Sequence, residues 1–284
     1  MKPVSILPTG ITLANAFFGV LALSKAIDAV VYTGEDPGLF YRKMEAACML
    51  VFLGMLCDLL DGWVARATRG FSRFGAQLDS FADALTFGIV PAMLAKVLIE
   101  HEGELCGYAA SPRIGFIASA AFALMAILRL VRYNLDEGGE EDHTFRGLPS
   151  PAAAGAVAST IWLYLILRRP ELEVVEGTPT PFSRVMSWME SVGWGPALDL
   201  VPLFLVVLLP LLGILMVSQV RYSHAIRFLT RARTHFFTLV WFVFAVFLFF
   251  LAPVPILFMV FNGFVFYGVV APLVARQRER WATR

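Results

Sequence analysis

Eight long apolar segments alternate with polar segments along the chain. They cover residues 11–31, 44–66, 76–99, 113–133, 150–168, 198–218, 235–252 and 254–274. A helix needs about 20 apolar residues to cross a bilayer, and it satisfies its backbone polar groups internally, as the hydrocarbon interior requires. The pattern therefore predicts an all-α integral membrane protein with eight transmembrane helices.

The boundary between the last two predicted helices depends on two prolines. Only the segment from Ala252 to Pro255, with prolines at 253 and 255, separates them. Proline has no backbone donor and disfavours a helical conformation in the residue before it. We therefore expect a tight hairpin here rather than one continuous helix over residues 235–274.

The composition agrees with a membrane protein and excludes a water-soluble globule. Hydrophobic residues make up 58% and charged residues 16% of the 284 residues, whereas soluble domains have about 45–50% and roughly 25%. The net charge is +1 at pH 7, so the chain has no global basic field that would attract nucleic acid. We expect no nucleic-acid partner, and any electrostatic function must be local.

The positions of Lys and Arg predict which helix ends face the cytoplasm, because positive residues beside the spans are retained on that side. Fifteen of the 23 positive residues lie beside span ends that share one side. They are Lys2, Arg66, Arg69, Arg73, Arg129, Arg132, Arg146, Arg221, Arg227, Arg231, Arg233, Arg276, Arg278, Arg280 and Arg284. We therefore expect both termini on the cytoplasmic side of an inner (cytoplasmic) membrane.

Four aspartates stand at the ends of two neighbouring apolar segments. Asp58 and Asp61 are three residues apart and Asp79 and Asp83 are four apart, so each pair projects from one helical face. An ionised aspartate near the bilayer centre costs about 2.5–3.5 kcal/mol, and neighbouring carboxylates repel each other. Bound divalent cations would offset both the burial cost and the repulsion. All-oxygen ligands suit Mg²⁺, Mn²⁺ or Ca²⁺, and four carboxylates suffice for two ions.

The spacing around these aspartates resembles the complete signature of the CDP-alcohol phosphotransferase family. The matching pattern is Asp58-x2-Asp61-Gly62-x2-Ala65-Arg66-x8-Gly75-x3-Asp79-x3-Asp83. The resemblance implies a core of six membrane helices and transfer of a phosphate-linked group from a CDP-linked lipid to an alcohol, with release of CMP. The sequence then adds about two C-terminal transmembrane helices to that core.

The resemblance also implies roles for individual residues. Two divalent metal ions, Mg²⁺ or Mn²⁺, would be held by Asp58, Asp61, Asp79 and Asp83, and Asp83 would be the catalytic general base. The CDP moiety would be bound by Asp61, Gly62, Ala65, Arg66, Ser72, Gly75 and Asp79. The guanidinium of Arg66 would offer fork-shaped donors to phosphate, although a simple anchoring role at the membrane surface is the alternative.

Segments that flank the signature resemble the family members that use CDP-diacylglycerol and L-serine. This resemblance covers roughly residues 6 to 222, and it departs from the pattern at Thr9-Gly10, where Pro-Asn is expected. It implies a membrane domain over 1–222, with a transmembrane hairpin and basic tail over 223–284. It further implies contact with membrane lipids and a homodimer, with the active site facing the cytoplasm.

Arg129 and Arg132 are candidates for binding the serine carboxylate or a lipid phosphate. They lie three residues apart near the cytoplasmic end of the fourth predicted span, so both can face one site. Topological anchoring of that helix end is the alternative function for either arginine.

Other activities remain open at the level of the sequence. A member of the same family could instead make phosphatidylglycerol phosphate, an inositol lipid or an archaeal serine lipid. A membrane prenyltransferase also uses aspartates and metal, but with a different aspartate spacing. A transporter with acidic residues in its ion path is a further alternative, and it would form no new phosphodiester.

Overall fold

Every regular element in the part of the chain that the structure describes is helical. The structure is a computed structural model and describes residues 6–32, 37–68, 73–105, 112–136, 147–168, 195–218 and 252–282. Its helices are α1 (Ile6–Tyr32), α2 (Pro37–Thr68), α3 (Arg73–Asp83), α4 (Val90–Leu105), α5 (Pro112–Asp136), α6 (Ser150–Arg168), α7 (Gly195–Asp199), α8 (Val201–Val217) and α9 (Pro253–Ala282). A π-helical segment, Ala84–Ile89, joins α3 to α4 without a break.

These helices confirm the prediction of an all-α membrane protein. Within the described ranges, six helical segments are long and apolar enough to cross a bilayer, and α8 is a shorter apolar helix of 17 residues. One crossing segment, Phe74–Gly103, combines most of α3 and α4 with the π-helical segment between them. The span predicted over 235–252 lies outside the described residues. Helix α9 begins at Pro253, where the proline pair predicted a helix start.

Small residues allow the helices to pack closely. Ala22, Ala26 and Ala29 recur every three or four residues on α1 and are almost fully buried, and α1 packs mainly along α2. Helix α5 packs against α8, and α9 packs against α6. Close approach through small side chains is the usual packing mode between helices in lipid, where burial of apolar surface gives no net driving force.

Helix α9 contacts α6 through one aromatic side chain and one amide. The Phe261 ring covers Gly155, and a Cβ atom there would lie 2.4 Å from the ring. The Asn262 amide donates to Thr160 Oγ1 at 3.3 Å and to Ser159 Oγ at 3.4 Å. Hydrogen bonds of this kind stabilise helix pairs in membranes by about 0.6–2 kcal/mol each, so α9 is attached to the bundle and does not merely lie beside it.

A buried glutamate connects several helices at the end of the bundle where α4 finishes. Glu102 has no exposed surface and accepts hydrogen bonds from Tyr41 at 2.5 Å and Tyr164 at 2.6 Å. Arg168 Nε lies 3.4 Å from the same carboxylate and donates to Asp199 at 2.9 Å through NH1. At about 1.5 Å per residue, Glu102 lies about 35 Å along the helix from Asp79, at the opposite end of the segment Phe74–Gly103.

Candidate metal centre

Two helix ends meet to form a cluster of three carboxylates. Asp58 and Asp61 lie near the C-terminal end of α2, and Asp79 lies in α3. One oxygen from each of the three lies within 4.8 Å of the other two. The packing of the helices thus brings together carboxylates from two separate helices, α2 and α3.

The cluster has the properties of a cation site. Within the described part of the chain, neither Asp58 nor Asp61 forms an ion pair, and the charges that act on Asp58 are those of Asp61 and Asp79. Asp61 is only 5% exposed, and none of the described residues donates a hydrogen bond to its buried Oδ2 atom. A buried carboxylate oxygen without a donor is costly, and a divalent cation would satisfy it. The residues present therefore fit a hard metal ion bound by oxygen ligands.

Asp83 lies beside this cluster but is not one of the three carboxylates that lie within 4.8 Å. It stands one turn after Asp79 at the end of α3, and its charge interacts with those of the other three aspartates. Its Oδ1 atom accepts a hydrogen bond from Asn15 Nδ2 at 3.3 Å. The fourth predicted carboxylate is therefore near the centre and has a separate partner on α1.

The residues predicted to bind the nucleotide surround the cluster where the structure describes them. Arg66, in the last turn of α2, folds back along the helix, and its NH1 atom would lie 3.5 Å from a Cβ atom added at Gly62. The guanidinium thus lies over Gly62, where a side chain would be in van der Waals contact with it. Ala65 and Gly75 are half-buried at the facing ends of α2 and α3. Ser72 lies outside the described residues.

The two predicted anion-binding arginines have different surroundings. Arg129 donates through NH1 to Ser150 Oγ at 2.7 Å, and its Nε atom is buried without an acceptor among the described residues. The negative charge of Asp83 also acts on Arg129. Arg132 instead donates to the Val217 carbonyl at 3.1 Å, one of the last carbonyls of α8, which have no partner within the helix.

A glycine brings the start of α6 to this end of the bundle. Gly147 has φ of +86°, a conformation that only glycine adopts without strain. A Cβ atom there would lie 2.3 Å from the Met216 carbonyl oxygen, and the next residue donates from its backbone to the Leu215 carbonyl at 3.0 Å. This contact fixes the α6 N-terminus, and with it Ser150, beside Arg129.

Several polar residues near the centre were not assigned a role from the sequence. Thr12 and Asn15, both on α1, are buried and lie beside Asp61 and Asp83 respectively. Asn134 exchanges hydrogen bonds with Ser80, which is next to Asp79. A signal for the α1 residues does exist in the sequence, because Thr12, Asn15 and Gly19 recur at helical spacing in an otherwise apolar segment.

Comparison with known proteins gives one family. The family model described as CDP-alcohol phosphatidyltransferase matches residues 5–194, a range that contains Asp58, Asp61, Asp79 and Asp83.

Curated relatives share part of the chain. CDP-diacylglycerol–serine O-phosphatidyltransferase of Helicobacter pylori is 29% identical over 163 residues, which are 57% of this chain and 60% of that protein. The enzyme of the same name from Bacillus subtilis is 31% identical over 150 residues, which are 53% of this chain and 72% of that protein. Archaetidylserine synthase of Methanothermobacter thermautotrophicus is 34% identical over 155 residues, which are 54% and 56% of the two chains.

The chain thus spans about 60% of the length of the Helicobacter pylori relative. The family model covers more than half of the chain, and three of the four aspartates singled out in the sequence come together in the structure. This multi-pass membrane protein therefore belongs to the CDP-alcohol phosphatidyltransferase family.

Proposed function

We propose that the chain transfers the phosphatidyl group of CDP-diacylglycerol to the hydroxyl group of L-serine, giving phosphatidylserine and CMP. The observation that carries this proposal is the cluster of Asp58, Asp61 and Asp79 at the junction of α2 and α3. The names of the relatives support serine as the acceptor. Family membership favours a CDP-linked donor over the prenyl diphosphate and transport alternatives.

The aspartates would hold two divalent ions, Mg²⁺ or Mn²⁺. Asp58, Asp61 and Asp79 are the first ligands, and Asp83 completes the set. When bound, the ions would offset the charge of the donor pyrophosphate and stabilise the charge that develops as the leaving group departs. Arg66 lies where it could bind the phosphates through paired donors, and Gly62 leaves space for the nucleotide.

The acceptor chemistry requires a base and an anchor for serine. In the proposed reaction the serine oxygen forms a bond to the phosphorus that carries the lipid, and the bond from that phosphorus to CMP breaks. CMP leaves with the electron pair, and Asp83 takes the proton of the serine hydroxyl. A carboxylate suits this task only if it is held towards the nucleophile, and Asn15 restrains Asp83 in this way.

We propose that Arg129, rather than Arg132, binds the serine carboxylate. The Nε hydrogen of Arg129 is buried without an acceptor in the described ranges, so an added carboxylate would satisfy it. The charge of Asp83 also acts on Arg129, so a serine bound to this arginine would lie next to its base. A lipid phosphate is the other anion that this arginine could bind.

The location and assembly follow the same proposal. The excess of arginines at the end of the bundle that carries the aspartates supports a cytoplasmic location for this end, where soluble L-serine would reach it. We propose residues 1–222 as the membrane domain that carries the activity, residues 223–284 as an appended unit, and a homodimer as the assembly.

A second candidate is the ether-lipid counterpart of this reaction. The observation that favours it is the Methanothermobacter thermautotrophicus relative, an archaetidylserine synthase, which is 34% identical over 155 residues. Purified protein supplied with an acyl donor or an ether donor would separate the two by the product formed.

An acceptor panel tests the main proposal. Purified protein is incubated with CDP-diacylglycerol, Mn²⁺ or Mg²⁺, and labelled serine, glycerol 3-phosphate or inositol, and the lipid products are separated. We expect a labelled lipid from serine alone, and none from the Asp83→Asn variant, which keeps the size of the side chain but not its basicity. A labelled lipid from another acceptor, with none from serine, would refute the assignment.

A further inference from the structure

Two contacts join α1 to the helix that carries Asp83. Asn15 Nδ2 donates to Asp83 Oδ1 at 3.3 Å, and Thr86 Oγ1 donates to the Asn15 carbonyl oxygen at 3.2 Å. Asn15 and Thr86 have no exposed surface. Asn15 of α1 therefore contacts the Asp83 side chain directly, and it also contacts Thr86, three residues further along the same continuous helix.

The space around Thr86 depends on two glycines. A Cβ atom at Gly19 would lie 2.5 Å from Thr86 Oγ1, and one at Gly54 would lie 2.6 Å from Thr86 Cγ2. The Gly54 position would also bring a Cβ atom within 3.0 Å of Asn15 Oδ1. Gly19 of α1 and Gly54 of α2 thus lie against the threonine side chain, and its hydroxyl donates to the Asn15 carbonyl oxygen.

The backbone between Asp83 and Thr86 is not an ordinary α-helix. The π-helical segment begins immediately after Asp83 and contains Thr86. Its wider turn changes the directions in which successive side chains project, and such segments occur often at functional sites. Two contacts to one residue of α1 fix the rotation of this segment about its axis, and hence the direction of the Asp83 carboxylate.

We propose that Asn15 and Thr86 are positioning residues that hold the Asp83 carboxylate towards the aspartate cluster and the acceptor hydroxyl. This inference rests on the proposed function for the role of Asp83. Neither residue needs to touch a substrate, since each acts through Asp83. The two residues lie outside the aspartate motif, Asn15 on α1 and Thr86 three residues after Asp83.

A double-mutant cycle on Mn²⁺ binding tests the proposal without any catalytic turnover. Mn²⁺ is titrated into purified protein, and the free ion is measured by electron paramagnetic resonance. Loss of a residue that orients a metal ligand costs about 10–100-fold in affinity or activity. We expect Asp83→Asn and Thr86→Val each to weaken Mn²⁺ binding by about 10-fold, and Thr86→Val to add less than about 2-fold in the Asp83→Asn background, as coupled residues do.

The kinetic form of the test separates positioning from folding. Thr86→Val keeps the shape of the side chain but lacks the hydroxyl, whereas Thr86→Ser restores it. We expect Thr86→Val to lower kcat by about 10-fold or more, because small displacements of a reacting group are costly, with KM for CDP-diacylglycerol nearly unchanged. Thr86→Ser should recover most of the loss in kcat.

Matched controls come from the α6–α9 contact. Thr160 is also a buried threonine that donates to a helix carbonyl, at 2.7 Å, so Thr160→Val should leave Mn²⁺ affinity and kcat unchanged. Asn15→Leu is the second test variant, with Asn262→Leu as its control. If Thr86→Val does not fold, Asn15→Leu takes its place in the cycle.

The outcomes are distinguishable. Additive effects of Thr86→Val and Asp83→Asn, or equal Mn²⁺ affinity in all of the folded variants, would each overturn the proposal. If the wild type makes no serine lipid but the Mn²⁺ cycle shows coupling, the proposed function fails and the positioning role stands. If the serine lipid forms and the cycle shows no coupling, the positioning role alone fails.

Discussion

The chemistry of this chain depends on a small number of polar residues in an apolar protein. Asp58, Asp61 and Asp79 offer oxygens within 4.8 Å of one another, although carboxylates this close repel and are costly to bury. A bound cation would offset the repulsion and the desolvation of these carboxylates, and carboxylate oxygens are suitable ligands for such a cation. Removal of one carboxylate should therefore affect binding more than folding.

The Asp61→Asn variant tests this expectation. Because Asp61 is the most buried of the three, its loss should weaken Mn²⁺ binding by about 10-fold or more and abolish product formation. Asp28→Asn is the control, since Asp28 lies at the other end of α1 between Lys25 and Lys43 at 3.7 and 3.5 Å. Equal Mn²⁺ affinity in the two variants would contradict the assignment of the metal centre.

The two arginines of α5 give a second prediction at the residue scale. Arg129→Gln should raise KM for serine by about 10-fold or more, because a hydrogen bond to a charged group contributes about 1.5–3 kcal/mol. Arg132→Gln should leave that KM within about 2-fold and lower the free energy of unfolding by about 1 kcal/mol, since it removes the donor to Val217. Steady-state kinetics and chemical unfolding of both variants measure the difference, and the reverse pattern would reassign the anion site to Arg132.

The aspartate positions could be predicted from the sequence, whereas their supporting residues could not. Spacings of three and four residues place side chains on one helix face, so Asp58 and Asp61 are recognisable locally. Asn15 and Asp83 are 68 residues apart, and only the packing of α1 against α3 and the π-helical segment brings them together. The hydrogen bond from Arg129 to Ser150 likewise depends on tertiary packing, because the contact between Gly147 and the end of α8 positions Ser150.

At the scale of elements, the apolar segments predicted the helices but not their irregularities. The predicted segment 76–99 falls within α3, the π-helical segment and α4. Nothing in the residues Ala84 to Ile89 distinguishes a π-helix from an α-helix by hydrophobic pattern, since both bury the same residue types. The π-helical segment holds Thr86, which contacts α1 and α2, and these tertiary contacts are not visible in the hydrophobic pattern.

The glutamate cluster at the far end of the bundle should stabilise the helix arrangement without affecting catalysis. Glu102 joins α2, α4 and α6 through Tyr41 and Tyr164. We expect Glu102→Gln to lower the free energy of unfolding by about 2–3 kcal/mol, the range for losing a charged partner of buried hydrogen bonds, with kcat unchanged per folded molecule.

Glu100→Gln is the matched control for this substitution. Glu100 is partly exposed and pairs with Lys96 on the same helix, and such pairs contribute about 0.3–0.5 kcal/mol. Unfolding in denaturant should therefore distinguish the two variants clearly. A loss of kcat in folded Glu102→Gln protein would show that the two ends of the bundle are coupled.

At the scale of the whole molecule, the family match and the metal centre both lie in the first two thirds of the chain. The family model ends at residue 194, and α9 contacts the bundle mainly through α6. We therefore expect α9 to contribute stability rather than chemistry. The composition predicted an integral membrane protein, but the attachment of α9 through Phe261 and Asn262 required the structure, because apolar helices have many equivalent faces.

A truncated chain that ends at Tyr222 tests this division. It should insert into membranes and keep at least about half of the serine-dependent activity, while its unfolding free energy falls by about 1–2 kcal/mol, the scale of the lost polar contacts between α6 and α9. The measurement is CMP release per inserted molecule. Complete loss of activity in inserted protein would place residues 223–284 within the active unit.

Serine-dependent release of CMP from CDP-diacylglycerol by the purified protein, measured as a function of Mn²⁺ or Mg²⁺ concentration, tests the central claim most directly. We predict release that requires serine, stops on addition of a chelator, returns with added metal, and is absent in Asp61→Asn protein. CMP release that persists after exhaustive chelation, or at an equal rate in the Asp61→Asn variant, would contradict the account.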